Sequence, residues 1–362
     1  MGSLIDIYLE GNVNIVRRRF LGGILCSAVV TYRMGALAAE PGVSDTPLPR
    51  LLDNHRLIID TDPGNDDAIA ILMALSAPNL KIEAITVCPG NLGDAGYDQQ
   101  VKNALYVLDV AGRAGEVSVH RGMSRPLLDR PYPSATFIHG PDGLGNVHVT
   151  DVKQRPDKEH AVDAIRRIVK RYPGEVVIAA LGGLTNVAMA LLMEPAIAPL
   201  IRGIQFVAGA GTSPIPNFNA LVDPEAVHIV LKSGVPVTLG GGEFSILEPA
   251  DYEKIKEIRT KRAAFFLDSN ALRLSFEMSA RNSKGSLNAD PIAIAMLIDP
   301  SIATAYKAVA ADVELSEGET RGVIYYGENR YSLNPTRPPN VNICVGASND
   351  EFKRMLFGAL SV

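Results

Sequence analysis

Leu57-Ile58-Ile59-Asp60-Thr61-Asp62-Pro63-Gly64-Asn65-Asp66-Asp67-Ala68-Ile69-Ala70 is the stretch from which the fold can be read. An apolar run, four carboxylates within eight residues and a second apolar run reaching Leu75 follow one another. The first run predicts a buried strand over 57–60, Pro63-Gly64 a tight turn, and the second run a buried helix over 66–76. Asp66 and Asp67 then fall in the first helical turn, where the positive end of the helix dipole favours carboxylates. A single acid ahead of a helix is ordinarily an N-cap and nothing more. Four acids at one strand end exceed that role. Unpartnered, they repel one another and raise each other's pKa, so a bound cation or shared protons must hold them together. An all-oxygen donor set favours Ca²⁺ or Mg²⁺ over Zn²⁺.

The alternation continues downstream. Strands are expected at 81–87, 117–120, 175–180, 204–208 and 235–239, and helices at 97–111, 160–172, 184–193 and 224–232. Near-continuous apolar strands between helices predict an α/β fold: an open, mostly parallel central sheet with helices on both faces, Rossmann-like in build. Residues 250–282 read as helical, 291–297 as a helix after Asp290, and 308–315, 322–326 and 341–345 as β-structure before a closing helix at 349–360. In such a sheet ligands bind beyond the carboxyl ends of the strands. Asp62, Asn91, Leu181, the loop 209–219 and Asp290 all follow an expected strand or precede an expected helix, which assigns them to one crevice.

The 362-residue chain is 47% hydrophobic, with a net charge of −5, six His and no Trp. That is ample material for one large core, and without a basic stripe it argues against a nucleic-acid partner and for a small solute. At the N-terminus, Arg17-Arg18-Arg19-Phe20-Leu21, an apolar run over 22–30 and Ala36-Leu37-Ala38 form a basic region, an apolar core and a small-x-small cleavage pattern. The arginine pair with Phe-Leu resembles a twin-arginine export signal; the alternative is an ordinary secretory signal behind a basic patch. Arg33 leaves the apolar stretch too short for a bilayer, so no stable membrane insertion is expected once the signal is removed. The expected organisation is a signal over 1–38, a Pro-rich linker over 39–54 and one domain over 55–362, in a periplasmic or secreted protein. Cys26 leaves with the signal, while Cys88 and Cys344 read as inert core residues.

Asp60-Thr61-Asp62-Pro63-Gly64-Asn65-Asp66-Asp67 resembles the signature of the nucleoside hydrolases. Further matches follow in order at Asn91, 181–186, Asn217-Phe218-Asn219, Asp223-Pro224-Glu225-Ala226 and Asp290-Pro291, so the resemblance covers about residues 55–362. It implies a Ca²⁺-dependent enzyme that cleaves the N-glycosidic bond of ribonucleosides, and it leaves a homo-oligomer open. By that resemblance Asp62, Asp67 and Asp290 hold the metal through carboxylates and Leu181 through its backbone carbonyl. Three carboxylates, a carbonyl, a water and two substrate hydroxyls suit Ca²⁺ better than octahedral Mg²⁺. Asp66 matches the family's general base, which takes a proton from the water that the cation acidifies while an oxocarbenium-like sugar develops. Asn91 and Asn219 match positions that hold ribose hydroxyls. Asp60 reads as structural, bonding loop amides.

Three departures from the family pattern stand out. Its better-known members place a His directly before the last metal Asp, where it protonates the leaving base; here that residue is Ala289. His139, in His139-Gly140-Pro141-Asp142-Gly143-Leu144-Gly145, is the remaining candidate acid, weighed against a merely solvated loop His. Asn217 stands where the family has Glu, and the loop 209–214 lacks an expected Asn. Both of those family residues hold the ribose 5′-hydroxyl, so the 5′ end of the substrate is open to modification. Two other readings compete. Asp60-Thr61-Asp62 resembles the Asp-x-Asp of haloacid-dehalogenase-like phosphatases, but no second acidic loop follows. A non-catalytic nucleoside- or ribose-binding protein of the same fold would explain Ala289 and Asn217 but not the retention of Asp66.

Overall fold

The computed structural model describes residues 55–149, 151–209, 213–326 and 338–362. The signal and linker expected over 1–54 lie outside the described residues, as do Ala210–Thr212 of the loop thought to meet the 5′ end. The strands β1 (His55–Thr61), β2 (Leu80–Val87), β3 (Val119–Arg121), β4 (Val176–Ala180), β5 (Ile201–Phe206) and β6 (Val237–Gly240) are parallel and lie in the order 3-2-1-4-5-6. Two later strands, β9 (Ala303–Val309) and β12 (Val341–Ala347), extend the sheet past β6. β12 runs parallel to β6 and β9 antiparallel to β12. The sheet is therefore mostly parallel, as the apolar strands predict. Its antiparallel edge strand begins earlier than the β-structure expected at 308–315.

Residues alternate sides along β1. Leu57 and Ile59 pack into one hydrophobic cluster with the helices α1 (Asn65–Ser76), α2 (Tyr97–Val110), α9 (Lys261–Ala280), α10 (Ala289–Ile298) and α11 (Asn349–Leu360). Ile58 packs into the other with α4 (Ala161–Arg171), α5 (Thr185–Met193) and α7 (Pro224–Lys232). Helices thus cover both faces, which is what strands apolar on both sides demand. Cys88 and Cys344 are buried free thiols.

Several elements depart from expectation. The helical stretch 250–282 is two helices, α8 (Pro249–Glu257) and α9, parted at Ile258–Thr260 where Thr260 caps the second by accepting from the Ala263 N–H. A small antiparallel pair, β7 (Ile246–Leu247) with β8 (Ser286–Leu287), closes the base of this helical excursion. β10 (Ala311–Val313) and β11 (Ile324–Tyr326) form their own pair instead of joining the main sheet. Two short helices, α3 (Thr136–His139) and α6 (Phe218–Val222), sit in loops with no apolar period to reveal them. Among the described residues no helix is long and apolar enough to cross a membrane.

Candidate active site

The strand order reverses between β1 and β4, and the crevice at such a reversal is where doubly wound sheets bind ligands. Asp62 follows β1 and Leu181 follows β4 at that point. A pocket of about 320 Å³ opens there, lined by Asp66, Asp67, Asn91, Leu181, Asn219 and Asp290. Phe137, Pro216, Phe218, Arg281 and Ala289 line it as well. The sequence-nominated residues are thereby brought together, apart from Asp62, which is 1% exposed and does not line the wall.

Each carboxylate has a different set of neighbours. Asp60 Oδ1 accepts from Thr86 Oγ1 at 2.6 Å and from Asn186 Nδ2 at 2.8 Å, so it bonds side chains and not the expected loop amides. Burial pushes its pKa up to about 7. Asp62 Oδ2 accepts the Asn91 N–H at 2.9 Å, while Asp62 Oδ1 is buried with no hydrogen-bond partner. Gly90 and Gly182 pack so closely on this carboxylate that a Cβ at either would lie 1.8 Å and 2.5 Å from its oxygens, which is why both positions are glycine. Asp67 Oδ2 accepts from the Gly64 N–H at 2.9 Å and from Asn91 Nδ2 at 3.1 Å, so this acid also serves as the reciprocal cap of α1. Asp290 lies in the first turn of α10, one residue inside the helix and not at its cap, and accepts no hydrogen bond from the described residues. Carboxylate oxygens of Asp66, Asp67 and Asp290 lie within 4.8 Å of one another.

Burial first, and neighbouring carboxylates second, push Asp62 and Asp290 well above the ordinary carboxylate range and Asp67 up to about 6. A buried oxygen without a donor, a carboxylate without a partner and a shared rise in pKa are what an oxygen-ligated divalent cation relieves, so the residues present fit one. Leu181 contributes its carbonyl, which accepts from Asn219 Nδ2 at 2.5 Å and keeps a second lone pair. A second group of potential ligands, His120, Asp157 and Glu159, is committed elsewhere. Both ring nitrogens of His120 are bonded, to Glu159 O and Ser118 Oγ, and Glu159 receives both arms of Arg167.

The family of inosine-uridine preferring nucleoside hydrolases matches residues 57–354. This chain belongs to that family. It is similar to an inosine-uridine preferring nucleoside hydrolase of Leishmania major, with 34% identity over 84% of this chain and 97% of the relative. A protein of the same description from Crithidia fasciculata is 34% identical over 74% of this chain and 86% of its own length. Among solved structures, a plant nucleoside hydrolase superposes with a TM-score of 0.78 at 29% identity, covering 85% of this chain and 99% of that one. A purine-preferring ribonucleoside hydrolase from Gardnerella vaginalis gives 0.76 at 30%, covering 84% and 98%. The chain is accordingly a hydrolase of N-glycosyl compounds that cleaves the N-glycosidic bond of ribonucleosides. The phosphatase and pure-binder readings fall away.

His139, the acid expected for the leaving base, lies buried on the pocket wall of this nucleoside hydrolase. Its Nδ1 lies 2.9 Å from Asn65 Oδ1, and Asn65 cannot be turned round, because its Nδ2 donates to Ile138 O and Ser269 O. The Asn65 N–H also points at His139 Nδ1, at 3.3 Å, so both contacts of the imidazole on this side are to Asn65. Burial lowers the imidazole to about 3, which disfavours its charged form at physiological pH. Asn217 is also committed: its Oδ1 accepts the Asn219 N–H at 3.0 Å and caps α6.

Four site residues escape a reading of the sequence: Asn65, Phe137, Arg273 and Arg281. Asn65 lies inside the acidic signature and ties His139 to α9. Phe137 is 52% exposed, lines the pocket and meets Phe276 at 5.0 Å between ring centroids. Arg273 Nη2 makes an ion pair with Asp66 Oδ1 at 2.6 Å. One signal for Arg273 was present. Phe266, Asn270, Arg273 and Glu277 recur at helical spacing and are all buried, so a charge sits on the inward stripe of α9, where only a partnered one survives.

Proposed function

We propose that this chain is an exported, Ca²⁺-dependent ribonucleoside hydrolase in which Asp66 is the general base. The observation that supports it is the convergence of Asp66, Asp67 and Asp290, with the unpartnered Asp62 Oδ1 and the Leu181 carbonyl, at the reversal of strand order. Asp62, Asp67, Asp290 and Leu181 O would hold the ion. Ca²⁺ bound there would supply Lewis-acid polarisation of a water and a seat for ribose hydroxyls. Burial, the largest single influence, pushes the Asp66 carboxyl up, but the Arg273 guanidinium, His139 and its own backbone N–H together hold the group below the ordinary range. Asp66 is thus ionised at physiological pH and stands on the pocket wall ready to accept a proton. The remaining carboxylates favour the positive charge that develops on the sugar.

Asn91 donates both amide hydrogens, to Asp62 O and Asp67 Oδ2, which leaves its Oδ1 to accept from a ribose hydroxyl. Asn219 holds the Leu181 and Val207 carbonyls through Nδ2 and likewise has Oδ1 for the sugar. Phe137 and Phe218 then flank the base. Chelation followed by assay of ribose release from a panel of ribonucleosides tests the reading. Exhaustive EDTA treatment is expected to abolish turnover and Ca²⁺ to restore it, with about one ion per chain by metal analysis. An apoprotein fully active after chelation would end the proposal.

Export rests on Arg17–Leu21, the apolar run after it and Ala36-Leu37-Ala38. The mature protein would begin near residue 39 with a linker to residue 54 and the catalytic domain over 55–362. Replacing Arg17, Arg18 and Arg19 together by Lys is expected to retain the protein in the cytoplasm of a host with twin-arginine transport. Undiminished recovery from the periplasm would leave an ordinary secretory signal as the reading.

A further inference from the structure

We propose that Asn103 and Asp142 are positioning residues that form a strut. It fixes the wall carrying Phe137, Ile138 and His139 at a set distance from the acidic turn, and so governs how tightly the base is held. The inference rests on the functional reading above, which places the base against Phe137. α3 is four residues long and has no apolar stripe of its own, so its position must be set from outside.

The chain leaving α3 does this. Gly140 ends the helix, and the Gly145 N–H turns back to donate to His139 O at 2.8 Å. One carboxylate gathers the loop: Asp142 Oδ1 accepts from the Leu144 N–H at 3.0 Å and the Asn146 N–H at 2.9 Å, and Oδ2 from the His148 N–H at 2.8 Å. The backbone needs that hold. φ is positive at Gly140, Gly143, Gly145, Asn146 and His148, and at 73° and 57° the last two occupy a region that residues with a side chain seldom adopt. A Cβ at Gly145 would lie 2.2 Å from Ser269 O on α9, so the loop is also wedged against that helix. Leu144 between these glycines is fully buried in the core.

Asn103 ties the loop to the acidic turn. It is fully buried on α2, and its Nδ2 donates to Pro63 O at 3.1 Å and to Asp142 O at 2.8 Å, while Oδ1 accepts from Gln99 Nε2 at 2.8 Å. One amide thus bridges the turn that precedes Asp66 and Asp67 and the loop that follows His139. A buried amide in a core helix must have its hydrogen bonds met, and here both donor hydrogens go to the two segments whose separation sets the width of the pocket. Neither Asn103 nor Asp142 lines that pocket, so both act on substrate through the residues they hold.

Asp142→Ala releases three backbone N–H groups and lets α3 shift away from the base. Contacts that substrate and transition state share are then lost, so KM for a ribonucleoside is expected to rise roughly tenfold while kcat stays within about threefold. Asn103→Ala cuts the strut at its other end, with the same rise expected, and covers the case in which the loop variant does not fold. Because both act through one strut, the double variant should raise KM little more than either single one. Asp142→Asn keeps an oxygen for Leu144 and Asn146 and should hold KM within about threefold of wild type. A role in stability alone moves other quantities: the melting temperature and the active fraction fall, and kcat with them, at unchanged KM.

A folded Asp142→Ala or Asn103→Ala with wild-type KM overturns the strut, as does a loss of kcat at constant KM or a pair of KM effects that multiply in the double variant. Phe137→Ala separates these outcomes from failure of the underlying reading. If Phe137→Ala leaves KM unchanged, the base is not held against α3, and that reading falls together with this inference. If Phe137→Ala raises KM while the strut variants do not, this inference alone is removed.

Discussion

Asp66→Asn is expected to lower kcat by roughly 10²–10⁴-fold with little change in KM, the signature of losing a group that acts in the transition state. Asparagine preserves the size of the side chain and abolishes the proton acceptor. The surroundings should survive the change. Arg273 keeps its bonds to Asn65 Oδ1 and Leu287 O, and the first turn of α1 is capped by Asp67, not by Asp66. The substitution therefore tests chemistry and not architecture, which circular dichroism and thermal unfolding of the variant would verify. Steady-state kinetics on a ribonucleoside that wild type turns over well is the measurement. Near-native turnover would move the base elsewhere. Asp62 would be the next choice, because its Oδ1 is a buried carboxylate oxygen of the cluster without a donor.

The second large effect concerns the leaving group. Burial holds the His139 imidazole down at about 3, and Ala289 presents only a methyl group to the pocket. On that ground neither residue is expected to supply a proton to the departing base. An acid normally contributes about 10²–10⁴-fold, so nicotinamide and p-nitrophenyl ribosides, which leave without protonation, should exceed uridine in kcat/KM by about that factor. His139→Ala should slow good and poor leaving groups alike, since His139 acts through Asn65 and the packing against Gly64. If the variant slowed purine ribosides and spared p-nitrophenyl riboside, His139 would be the acid after all. The same panel reads the 5′ end. Asn217 spends its Oδ1 on the cap of α6, so 5′-deoxyadenosine should suffer a smaller penalty than a site built to bond that hydroxyl imposes. A flat leaving-group series with strong rejection of the 5′-deoxy compound would refute both arguments.

The correspondence between chain and fold is uneven for physical reasons. Strands β1, β2, β4, β5 and β6 and the long amphipathic helices were legible because burial on one or both faces writes a period into the residues themselves. The split between α8 and α9 was not legible, because a three-residue break in a charged helical stretch leaves both flanking periods intact. The antiparallel β9 and the separate pair β10–β11 were not legible either: an apolar run states that a strand is buried but not which neighbour covers it. The short helices α3 and α6 carry His139, Phe218 and Asn219, yet they are held by caps and by the pocket walls and have no hydrophobic stripe of their own.

At the site the division is sharper. The acidic signature on its own determined that four carboxylates meet at the end of one strand and that they need compensating charge; the reaction class came from the family resemblance it begins. That information is local, written within eight residues. The surroundings that set these carboxylates apart are visible only in the tertiary structure, since the partners lie far away in the chain. Arg273 arrives at Asp66 from α9, and His139 comes from α3 to be buried against Asn65. A carboxylate's or imidazole's proton affinity depends on the charges and the water within a few ångströms of it, and for Asp66 and His139 those surroundings exist only once α9 has closed over the carboxyl ends of the sheet.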